Sequence, residues 1–333
     1  MNDRVIAVVV SFNPDASAFV KLMEALLPQV ACLIVVDNAS SSDITEILAP
    51  WSERNVELMQ MPDNFGIAAA QNIGIERAIT LGADFVLLSD QDSVPFPSMV
   101  NELLAAISAD HAFPVAAVGP VAVDSRTGKA SFWVVERTGI PRRLQPPTDS
   151  ENLPPFISVS FLIASGTLIP VDVIKKIGAM RSNYFIDHVD TEWCFRAKAE
   201  GYMLLGVPSS RMEHRLGDEV KRIWFFGFRQ VMYHSPLRDY YMFRNTLLMI
   251  RDTSMSWVWK IHFLFRLVQF AGYFLIFSED RCLRFKRMTL GLIHGLNAVR
   301  GRFDATVNRC SFLPVSDIEP SSAKVKLHDG ISP

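Results

Sequence analysis

Short apolar runs alternate with helix-like segments from residue 5 to residue 119. The runs are VIAVVV, CLIVV, VELMQM, FVLLS and VAAVG, and the segments between them include AFVKLMEALL, DITEILAPW, IAAAQNIGIERAITL and PSMVNELLAAI. Runs that are apolar at nearly every position are typical of strands buried on both faces, and strands that alternate with helices form right-handed βαβ units. The pattern therefore predicts an α/β fold with a parallel sheet covered by helices.

Polar or glycine-containing segments follow four of these runs. They are Ser11-Phe12-Asn13, Asp37-Asn38-Ala39-Ser40, Asn64-Phe65-Gly66 and Asp90-Gln91-Asp92. Ligands of such sheets bind beyond the carboxyl ends of the strands, so we expect these segments to form one site.

Asp90 and Asp92 would direct both carboxylates to one side of an extended chain. A divalent cation completed by substrate phosphates would relieve their repulsion. Taken alone, the triplet is an ordinary turn sequence. The other three segments at the same edge make the metal site the better interpretation.

The pattern changes after Gly119. Residues 124–155 predict a loop over the site, with SFWVV as a hairpin strand inside it. FISVSFLIASGTLIP and the helix-like VDVIKKIG follow. YFIDHVDTEWCFRAKAEGYMLLGV then predicts a polar turn, a short amphipathic helix and a strand.

The C-terminal part is aromatic, basic and apolar. In SWVWKIHFLFRLVQFAGYFLIF, Lys260, His262 and Arg266 leave an apolar stretch too short to span a bilayer comfortably. The segment fits a helix in the membrane interface, with RCLRFKR meeting anionic headgroups, or a buried helix of a helical extension. The tail after Leu313 is polar enough to predict disorder.

Composition narrows the function classes. The chain has 333 residues, 49% hydrophobic content and a formal net charge of -2, which exclude a chain built mainly to coat nucleic acid. The four cysteines show no CxxC spacing, and the first apolar run is short for a secretory signal, so we expect a cytoplasmic protein. GxGxxG after a strand, GxxxxGK[ST] and GxSxG do not occur.

Three acids, Asp187, Asp190 and Glu192, crowd the segment FIDHVDTEWCFR. Like-charge repulsion and burial would raise the pKa of at least one of them, as a general base requires, although one acid could instead cap the helix. His214 downstream is a candidate third ligand for a Mg2+ or Mn2+ ion already held by carboxylates, whereas a lone His is more often structural.

Seven segments together resemble a known family. VVSFN, VVDNAS, DNFGIAAAQNIGI, LLSDQDS, SGTLIP, FIDHVDTEWCFRA and HRLGD occur in the order and spacing of family 2 glycosyltransferases, over roughly Val5 to Asn245. The Gln of DQD and the segment HSPLRDYYMFRN are similar to bacterial rhamnosyltransferases. The resemblance implies a GT-A fold, a mostly parallel Rossmann-like sheet flanked by helices, with a C-terminal helical extension.

The implied domain boundaries are as follows. Residues 1–215 form the GT-A domain, with a nucleotide-sugar half to about 120 and an acceptor half over 121–215. Residues 216–300 form a C-terminal helical region at a membrane surface or in the protein interior, and residues 301–333 a disordered tail.

The resemblance also implies roles for individual residues. Asp37 would bind the pyrimidine base of the donor, and Ser11 and Asn13 would line the same pocket. The other predicted donor residues are Asn64, Gly66, Asn72, Asp90, Gln91, Arg238, Tyr241 and Arg244. The predicted metal ligands are Asp92, His214 and Asp90, and the predicted acceptor residues are Gly166 and Trp193.

Asp190 falls where the family places its catalytic base. The residue before that base is commonly Glu, whereas here it is Val189. Asp187 or Glu192 could therefore share or take the role.

The implied reaction is an inverting, metal-dependent transfer of L-rhamnose from TDP-rhamnose. The expected acceptor is a saccharide on polyprenyl diphosphate, in cell-surface polysaccharide or O-antigen synthesis, and the expected location is the cytoplasmic face of the inner membrane. The alternatives are another donor such as a UDP-hexose, a haloacid-dehalogenase-type phosphatase that uses DQDSV, and a sugar-nucleotide-binding subunit without catalysis. No nucleic-acid partner is expected, and the sequence leaves oligomerisation open.

Overall fold

The computed structural model describes residues 3–147, 153–214, 219–224, 228–304 and 309–311. The α-helices in these ranges are α1 (Ala16–Leu26), α2 (Ile44–Leu48), α3 (Ile67–Thr80), α4 (Met99–Ile107), α5 (Val171–Ile177), α6 (Val189–Ala199), α7 (Pro236–Asp252), α8 (Trp257–Phe277) and α9 (Arg281–Leu296). The strands are β1 (Val5–Ser11), β2 (Cys32–Asp37), β3 (Val56–Gln60), β4 (Phe85–Asp90), β5 (Ser93–Pro95), β6 (Val115–Asp124), β7 (Trp133–Arg137), β8 (Ile140–Leu144), β9 (Ile157–Ser158), β10 (Leu168–Pro170), β11 (Met203–His214), β12 (Glu219–Trp224), β13 (Phe228–Tyr233), β14 (Arg302–Asp304) and β15 (Arg309–Ser311).

The alternation of strands and helices predicted up to residue 119 is confirmed. Each predicted apolar run forms a strand, and each predicted segment between them contains a helix. Asp15 and Asp43 cap the first two helices. Their carboxylates accept the N–H groups of Ala18 and Thr45 at 2.9 Å. These caps satisfy backbone donors that have no partner inside the helix.

The main sheet contains nine strands within the described residues. Its order is β3-β2-β1-β4-β10-β6-β11-β5, and β9 pairs with β11. Strands β1, β2, β3, β4, β6 and β11 run in one direction, and the short strands β5, β9 and β10 run against them. The predicted mostly parallel sheet is therefore confirmed, and β10 between β4 and β6 is an antiparallel insertion that the pattern did not predict.

Both faces of this sheet are buried. Alternate residues of β1 enter different cores: Val5 and Val9 pack with α1 and α4 on one face, and Ile6 and Val8 pack with α3 on the other. Because successive side chains of a strand point to opposite faces, a run without polar residues requires a cover on each side. The two cores supply that cover.

Helix α6 differs from its prediction as an amphipathic helix. Seven of its eleven residues are buried. Its outer side is covered by α8, where the ring of Phe195 lies 5.1 Å from that of Trp259. The helix is thus enclosed between the sheet and the C-terminal region, and polar residues such as Glu192 are buried with it.

The region 216–300 is only partly helical. Residues 219–224 and 228–233 form the antiparallel pair β12 and β13, inside the region that the sequence analysis described as helical. The segments EVKRIW and FRQVMY contain β-branched and aromatic residues, which favour strands. Most of the HRLGD segment, residues 215–218, lies outside the described residues.

Two short strands lie within residues 301–333, which the sequence analysis assigned to a disordered tail. Residues 302–304 pair with residues 309–311. Phe303 is buried, with its ring 4.6 Å from that of Tyr240, and this contact joins residues 302–304 to α7. Residues 312–333, where disorder was also predicted, lie outside the described residues.

A buried ion pair joins the C-terminal helices. Arg284 of α9 donates to Asp239 of α7 at 2.6 Å, and their side chains are 0% and 5% exposed. Arg284 also donates to the His234 carbonyl and the Ser278 hydroxyl at 2.8 Å each. A buried charge is tolerated where it has such partners, so the pair fixes α9 against α7.

Gly74 of α3 provides a test of the contact between α3 and the sheet. A Cβ at this position would lie 2.2 Å from a methyl carbon of Val8. Gly74→Ala should therefore lower the free energy of unfolding by about 1–3 kcal/mol, because the helix must move away from β1. Chemical denaturation measures the change.

Gly272 of α8 is the matched control, because a Cβ there would meet no atom within 4 Å. Gly272→Ala should stabilise the protein by about 0.5–1 kcal/mol through helix propensity. Equal effects of the two substitutions would contradict the packing described for α3.

Candidate active site

The carboxyl ends of three neighbouring strands bring the predicted site together. Ser11 of β1 stands opposite Asp37 of β2. Val10 of β1 stands opposite Asp90 of β4. The polar segments after these strands therefore meet at one edge of the sheet, as predicted.

An open cleft lies at this edge and encloses, with the solvent at its mouth, about 1690 Å³. The predicted residues that line it are Asn64, Gly66, Asp90, Gln91, Asp92, Asp187, Asp190, His214 and Arg238. Further lining residues include Phe12, Asn38, Gln71, Ala164, Phe185, His188 and His234.

Asp37 is 3% exposed and lies in a network behind the cleft wall. Its carboxylate accepts the Ser11 hydroxyl and the Ser40 N–H at 3.0 Å. Asn13 connects the same loops, because its carbonyl oxygen accepts the N–H and the hydroxyl of Ser41 at 2.8 Å. Ser11, Asn13 and Asp37 thus join the loops after β1 and β2 beside the cleft.

Gln91 fastens β4 to the loop after β1. Its carbonyl oxygen accepts the Phe12 N–H at 2.7 Å, and its amide donates to the Phe12 carbonyl at 3.2 Å. The side chain of Phe12, 43% exposed, is thereby held at the cleft. Gln91 lines the cleft and also orients this aromatic ring.

Asn64 and Gly66 shape the start of α3. The side-chain oxygen of Asn64 accepts the Asn38 amide at 3.1 Å and the Gly66 N–H at 3.0 Å. Gly66 has φ 88°, and a Cβ there would lie 2.4 Å from the Phe185 carbonyl oxygen. Only glycine allows this close approach between α3 and the segment before α6.

The short strand β5 determines where His214 lies. Ser93 of β5 pairs with His214 at the end of β11. The Nδ1 atom of His214 is 2.7 Å from the Ser93 hydroxyl and 3.6 Å from a carboxylate oxygen of Asp92. The predicted meeting of Asp92 and His214 is therefore present, and it depends on a strand that the pattern did not predict.

Two buried serines extend this contact into the protein. The Ser165 hydroxyl donates to the Ser93 hydroxyl at 2.6 Å and accepts the Asp90 N–H at 3.0 Å. The chain of hydrogen bonds links His214 to the loop that precedes β10. Neither serine was among the predicted site residues.

Burial raises the pKa of Asp90 to about 6. The negative charges of Asp92 and Asp190 act in the same direction, and the positive charges of His214 and Arg238 oppose them. A carboxylate with a raised pKa at the end of a strand is a common feature of functional sites.

The donors around Asp92 fit a hard divalent cation. A carboxylate and an imidazole face the cleft 3.6 Å apart. Within the described residues, no group of three His, Cys, Asp or Glu side chains is arranged as a complete metal site, so the predicted set of Asp92, His214 and Asp90 is not a preformed three-ligand site. Mg2+ commonly takes one or two protein ligands and completes its shell with substrate phosphates.

The segment before α6 has an unusual backbone. Phe185, Asp187 and His188 have φ of 67°, 63° and 62°, in the left-handed region that side chains other than glycine rarely adopt. Such conformations cost free energy and concentrate at functional sites. Here they place Asp187 and Asp190 on the wall of the cleft.

Asp190 lies in the first turn of α6. Its two carboxylate oxygens accept the Thr191 N–H at 2.7 Å and the Ala164 N–H at 3.2 Å. Burial raises the pKa of this carboxyl, and the hydrogen bonds only partly offset the effect. The geometry fits a fixed carboxylate that can take a proton from a molecule in the cleft.

The two alternative bases are both held in ion pairs. Asp187 forms an ion pair with Arg238, at 2.6 Å. Glu192 is fully buried and pairs with Arg181 at 2.6 Å and with Arg196 at 2.9 Å. The alternative of Glu192 as base is corrected, because this side chain binds two arginines and does not line the cleft.

Arg244 and Tyr241 do not reach the cleft, contrary to their prediction as donor residues. Arg244 is 0% exposed and donates to the carbonyls of Gly301 and Tyr184 at 2.6 and 3.0 Å. The Tyr241 hydroxyl accepts the Phe303 N–H at 2.8 Å, and its ring stacks on Phe185. Both residues support the cleft wall from behind.

Asn72, Trp193 and Gly166 also have structural partners. Asn72 donates to the Met180 carbonyl at 2.8 Å, and Trp193, 2% exposed, donates to the Gly178 carbonyl at 2.9 Å. The Gly166 N–H donates to the Leu88 carbonyl at 2.8 Å. Their predicted contacts with donor or acceptor are corrected, because none of the three lines the cleft.

Asn245 is the main residue that the sequence did not single out. Its side-chain amide donates to the carbonyls of Tyr184, Ile186 and Asp187 at 3.0, 2.6 and 3.0 Å. The only signal was its position at the end of HSPLRDYYMFRN. Its carbonyl partners lie about 60 residues earlier, and no spacing pattern marks them.

Comparison with known proteins gives the family. A model described as Glycosyl transferase family 2 matches residues 6–178. The dTDP-rhamnosyl transferase RfbF of Shigella flexneri is 29% identical over 305 residues, which cover 90% of this chain and 98% of that protein. Galactofuranosyltransferase GlfT1 of Mycolicibacterium smegmatis is 24% identical over 255 residues, which cover 74% and 81%.

Two solved structures share the fold. S. aureus TarS 1-349 in complex with UDP-GlcNAc has a TM-score of 0.52 and 14% identity, over 89% of this chain and 80% of that one. GalNAc-T7 with UDP, GalNAc and Mn2+ has a TM-score of 0.51 and 17% identity, over 63% of this chain and 43% of that one. The predicted GT-A fold with a C-terminal helical region is thereby confirmed.

The family match decides between the alternatives for DQDSV. A phosphatase of the haloacid dehalogenase type and a non-catalytic binding subunit are both wrong, because residues 6–178 match a family of transferases. The chain belongs to glycosyl transferase family 2 and is a glycosyltransferase.

Proposed function

We propose that this enzyme transfers L-rhamnose from dTDP-rhamnose to a saccharide acceptor, with inversion at C1 and with Mg2+ or Mn2+. The observation that carries the proposal is the similarity to a dTDP-rhamnosyl transferase along 90% of this chain. The acceptor is a saccharide on polyprenyl diphosphate, in the synthesis of cell-surface polysaccharide or O-antigen. The apolar surface of the C-terminal helices supports a lipid-linked acceptor.

The nucleotide of the donor is assigned to the side of the cleft formed by the loops after β1, β2 and β3. Phe12, Asn38 and Asn64 line this side, and an aromatic ring beside amide groups suits a base and a ribose. Binding of the base by Asp37 stays a prediction. In the structure its carboxylate holds the loop that presents Asn38.

Arg238 is assigned to the donor diphosphate. Its guanidinium lies on the cleft wall and is oriented by Asp187 at 2.6 Å. A guanidinium pairs well with phosphate oxygens. Asp92 and His214 would hold the divalent cation, which when bound supplies Lewis-acid stabilisation of the leaving diphosphate.

Asp190 is assigned the role of general base. Its carboxylate takes the proton of the acceptor hydroxyl as that oxygen forms a bond to C1 of the sugar, and the bond from C1 to the diphosphate breaks. The Ala164 and Thr191 N–H groups hold the carboxylate in place. Its raised pKa increases its affinity for the proton.

Donor identity is tested by thermal shift and donor turnover with a panel of nucleotide sugars in Mn2+, Mg2+ or EDTA. We expect dTDP-rhamnose with metal to give the largest rise in Tm, with a smaller rise in EDTA and in Asp92→Ala. Asp172→Ala is the control, because the Asp172 side chain is 95% exposed on α5. A larger response to a UDP-hexose would overturn the donor assignment.

Asp190→Asn and Glu192→Gln separate catalysis from structure. Asp190→Asn should lower kcat by about 10²–10⁴-fold and leave donor affinity within a few-fold, because it removes the base. Glu192→Gln should lower the free energy of unfolding by about 1–3 kcal/mol, because two arginines lose their anion.

Steady-state kinetics and chemical denaturation measure both variants. The kcat of Glu192→Gln should stay within a few-fold of that of the wild type. The reverse result, with kcat retained by Asp190→Asn and lost by Glu192→Gln, would move the base role to Glu192.

Asp90→Asn should stabilise the protein at neutral pH. The folded pKa of Asp90, about 6, is above the ordinary 3.8, so its contribution to stability is complete below about pH 4 and is lost as the pH rises through 6. Removing the charge should raise the free energy of unfolding by about 1–3 kcal/mol at pH 7.5, and the gain should shrink toward pH 4.

Urea denaturation at the two pH values measures the difference between Asp90→Asn and the wild type. Asp172→Asn, at an exposed position, is the control and should give no pH-dependent gain. A gain for Asp90→Asn that persists unchanged at pH 4 would show that the buried charge is not its cause.

A further inference from the structure

The outer face of α8 is apolar. Trp257, Ile261, Phe265, Val268 and Ile276 are 77%, 63%, 58%, 67% and 60% exposed. Their spacings of four, four, three and eight residues place them on one side of the helix. A large, continuous apolar surface on a water-soluble protein marks a site of interaction.

The inner face of the same helix is part of the protein core. Trp259 and Phe263 are 2% and 5% exposed. Their rings contact Phe195 of α6 at 5.1 and 5.9 Å. The helix therefore has two apolar faces, one that the protein covers and one that it does not.

Within the described residues, α8 is the one helix long and apolar enough to cross a bilayer. Its most apolar 18 residues have a mean hydropathy of 1.3, and 17% of them are buried in the protein. A crossing would remove Trp259 and Phe263 from their contacts with α6. Lys260 and Arg266 would also enter the hydrocarbon region, which is costly. A helix that keeps one face on the protein lies along the membrane surface instead.

The charges on α8 and α9 indicate which lipids the apolar face would contact. Neither α8 nor α9 contains an acidic residue. The first turns of α9 carry Arg281 and Lys286, both exposed, beside Phe285, which is 56% exposed. Glu279 and Asp280 lie in the turn between the helices. Cations next to apolar side chains favour a surface of anionic lipids.

We propose that the outer face of α8, with the basic start of α9, docks onto an anionic phospholipid bilayer. It holds the enzyme peripherally on the cytoplasmic face of the inner membrane. Trp257, Ile261, Phe265 and Val268 enter the boundary between headgroups and acyl chains, and Lys286 contacts the headgroups.

The docking face is coupled to the cleft through the body of α8. The Phe263 ring packs edge-on against His188 at 5.8 Å, and His188 lines the cleft. The membrane surface thus backs directly onto the segment that carries Asp190. An acceptor anchored in the bilayer would meet the cleft without leaving the membrane. The docking face itself requires neither the proposed donor nor the proposed base.

Vesicle flotation of the full chain without nucleotide tests the proposal. We expect binding to vesicles of phosphatidylcholine with phosphatidylglycerol, weaker binding to phosphatidylcholine alone, and release by salt. The variant Ile261→Ser/Phe265→Ser/Val268→Ser should lose at least about tenfold in vesicle affinity, because each buried side chain contributes more than a tenfold factor.

Two further variants complete the experiment. Lys286→Glu should lose about fivefold or more on anionic vesicles and little on neutral ones. Phe113→Ser is the control, because Phe113 is 62% exposed outside α8 and α9, and it should bind as the wild type does. The thermal unfolding transition should persist in the triple variant, in Lys286→Glu and in Phe113→Ser, because the replaced side chains are exposed.

The contrary outcomes are distinct. Wild-type protein that fails to float with either vesicle, or a triple variant that binds like wild type, would overturn the proposal. A dimer in light scattering that the triple variant converts to a monomer would assign the face to a second copy of the chain. Because no nucleotide is present, none of these results depends on the donor assignment.

Discussion

The cleft depends on one buried amide. Asn245 of α7 donates to carbonyls of the segment 184–187, and Arg244 donates to the first of them. In that segment and the residue after it, three residues other than glycine have positive φ. Each such conformation costs about 1–3 kcal/mol and persists where the surroundings over-determine it. The hydrogen bonds from α7 provide that constraint, and they thereby set the positions of Asp187 and Asp190.

The residues that match the family model therefore do not contain the whole of the candidate active site. That match ends at residue 178, whereas Asp187, Asp190, His214 and Arg238 all come later and all line the cleft. Residues 6–178 provide most of the sheet and the loops assigned to the donor, and β11 completes the sheet. The later part provides the candidate base, the imidazole and the guanidinium, and α7 fixes the segment before the base through Asn245. The C-terminal helices are part of the site as well as an extension of it.

The sequence predicted the features that follow from local pattern. Apolar runs and the polar residues after them located the sheet and its edge, because burial on both faces constrains every position of a strand. It failed for Arg244, Tyr241, Asn72 and Trp193, whose polar groups bind backbone groups distant in the chain. A polar side chain in a motif can bind either a ligand or a backbone group of the protein, and the residue type alone does not show which. Strand β5 was missed because three residues carry no periodicity.

The charges of the cleft bear on the proposed binding of a cation together with a sugar diphosphate. Among the described residues, four carboxylates line the cleft, those of Asp90, Asp92, Asp187 and Asp190, against one guanidinium, that of Arg238. This excess of negative charge contributes to the raised pKa of Asp90, and it would repel a diphosphate that arrived alone. A divalent cation held by Asp92 and His214 would add positive charge at this point of the cleft. Under the proposed mechanism, the same acids that disfavour the free anion would favour the anion with its metal.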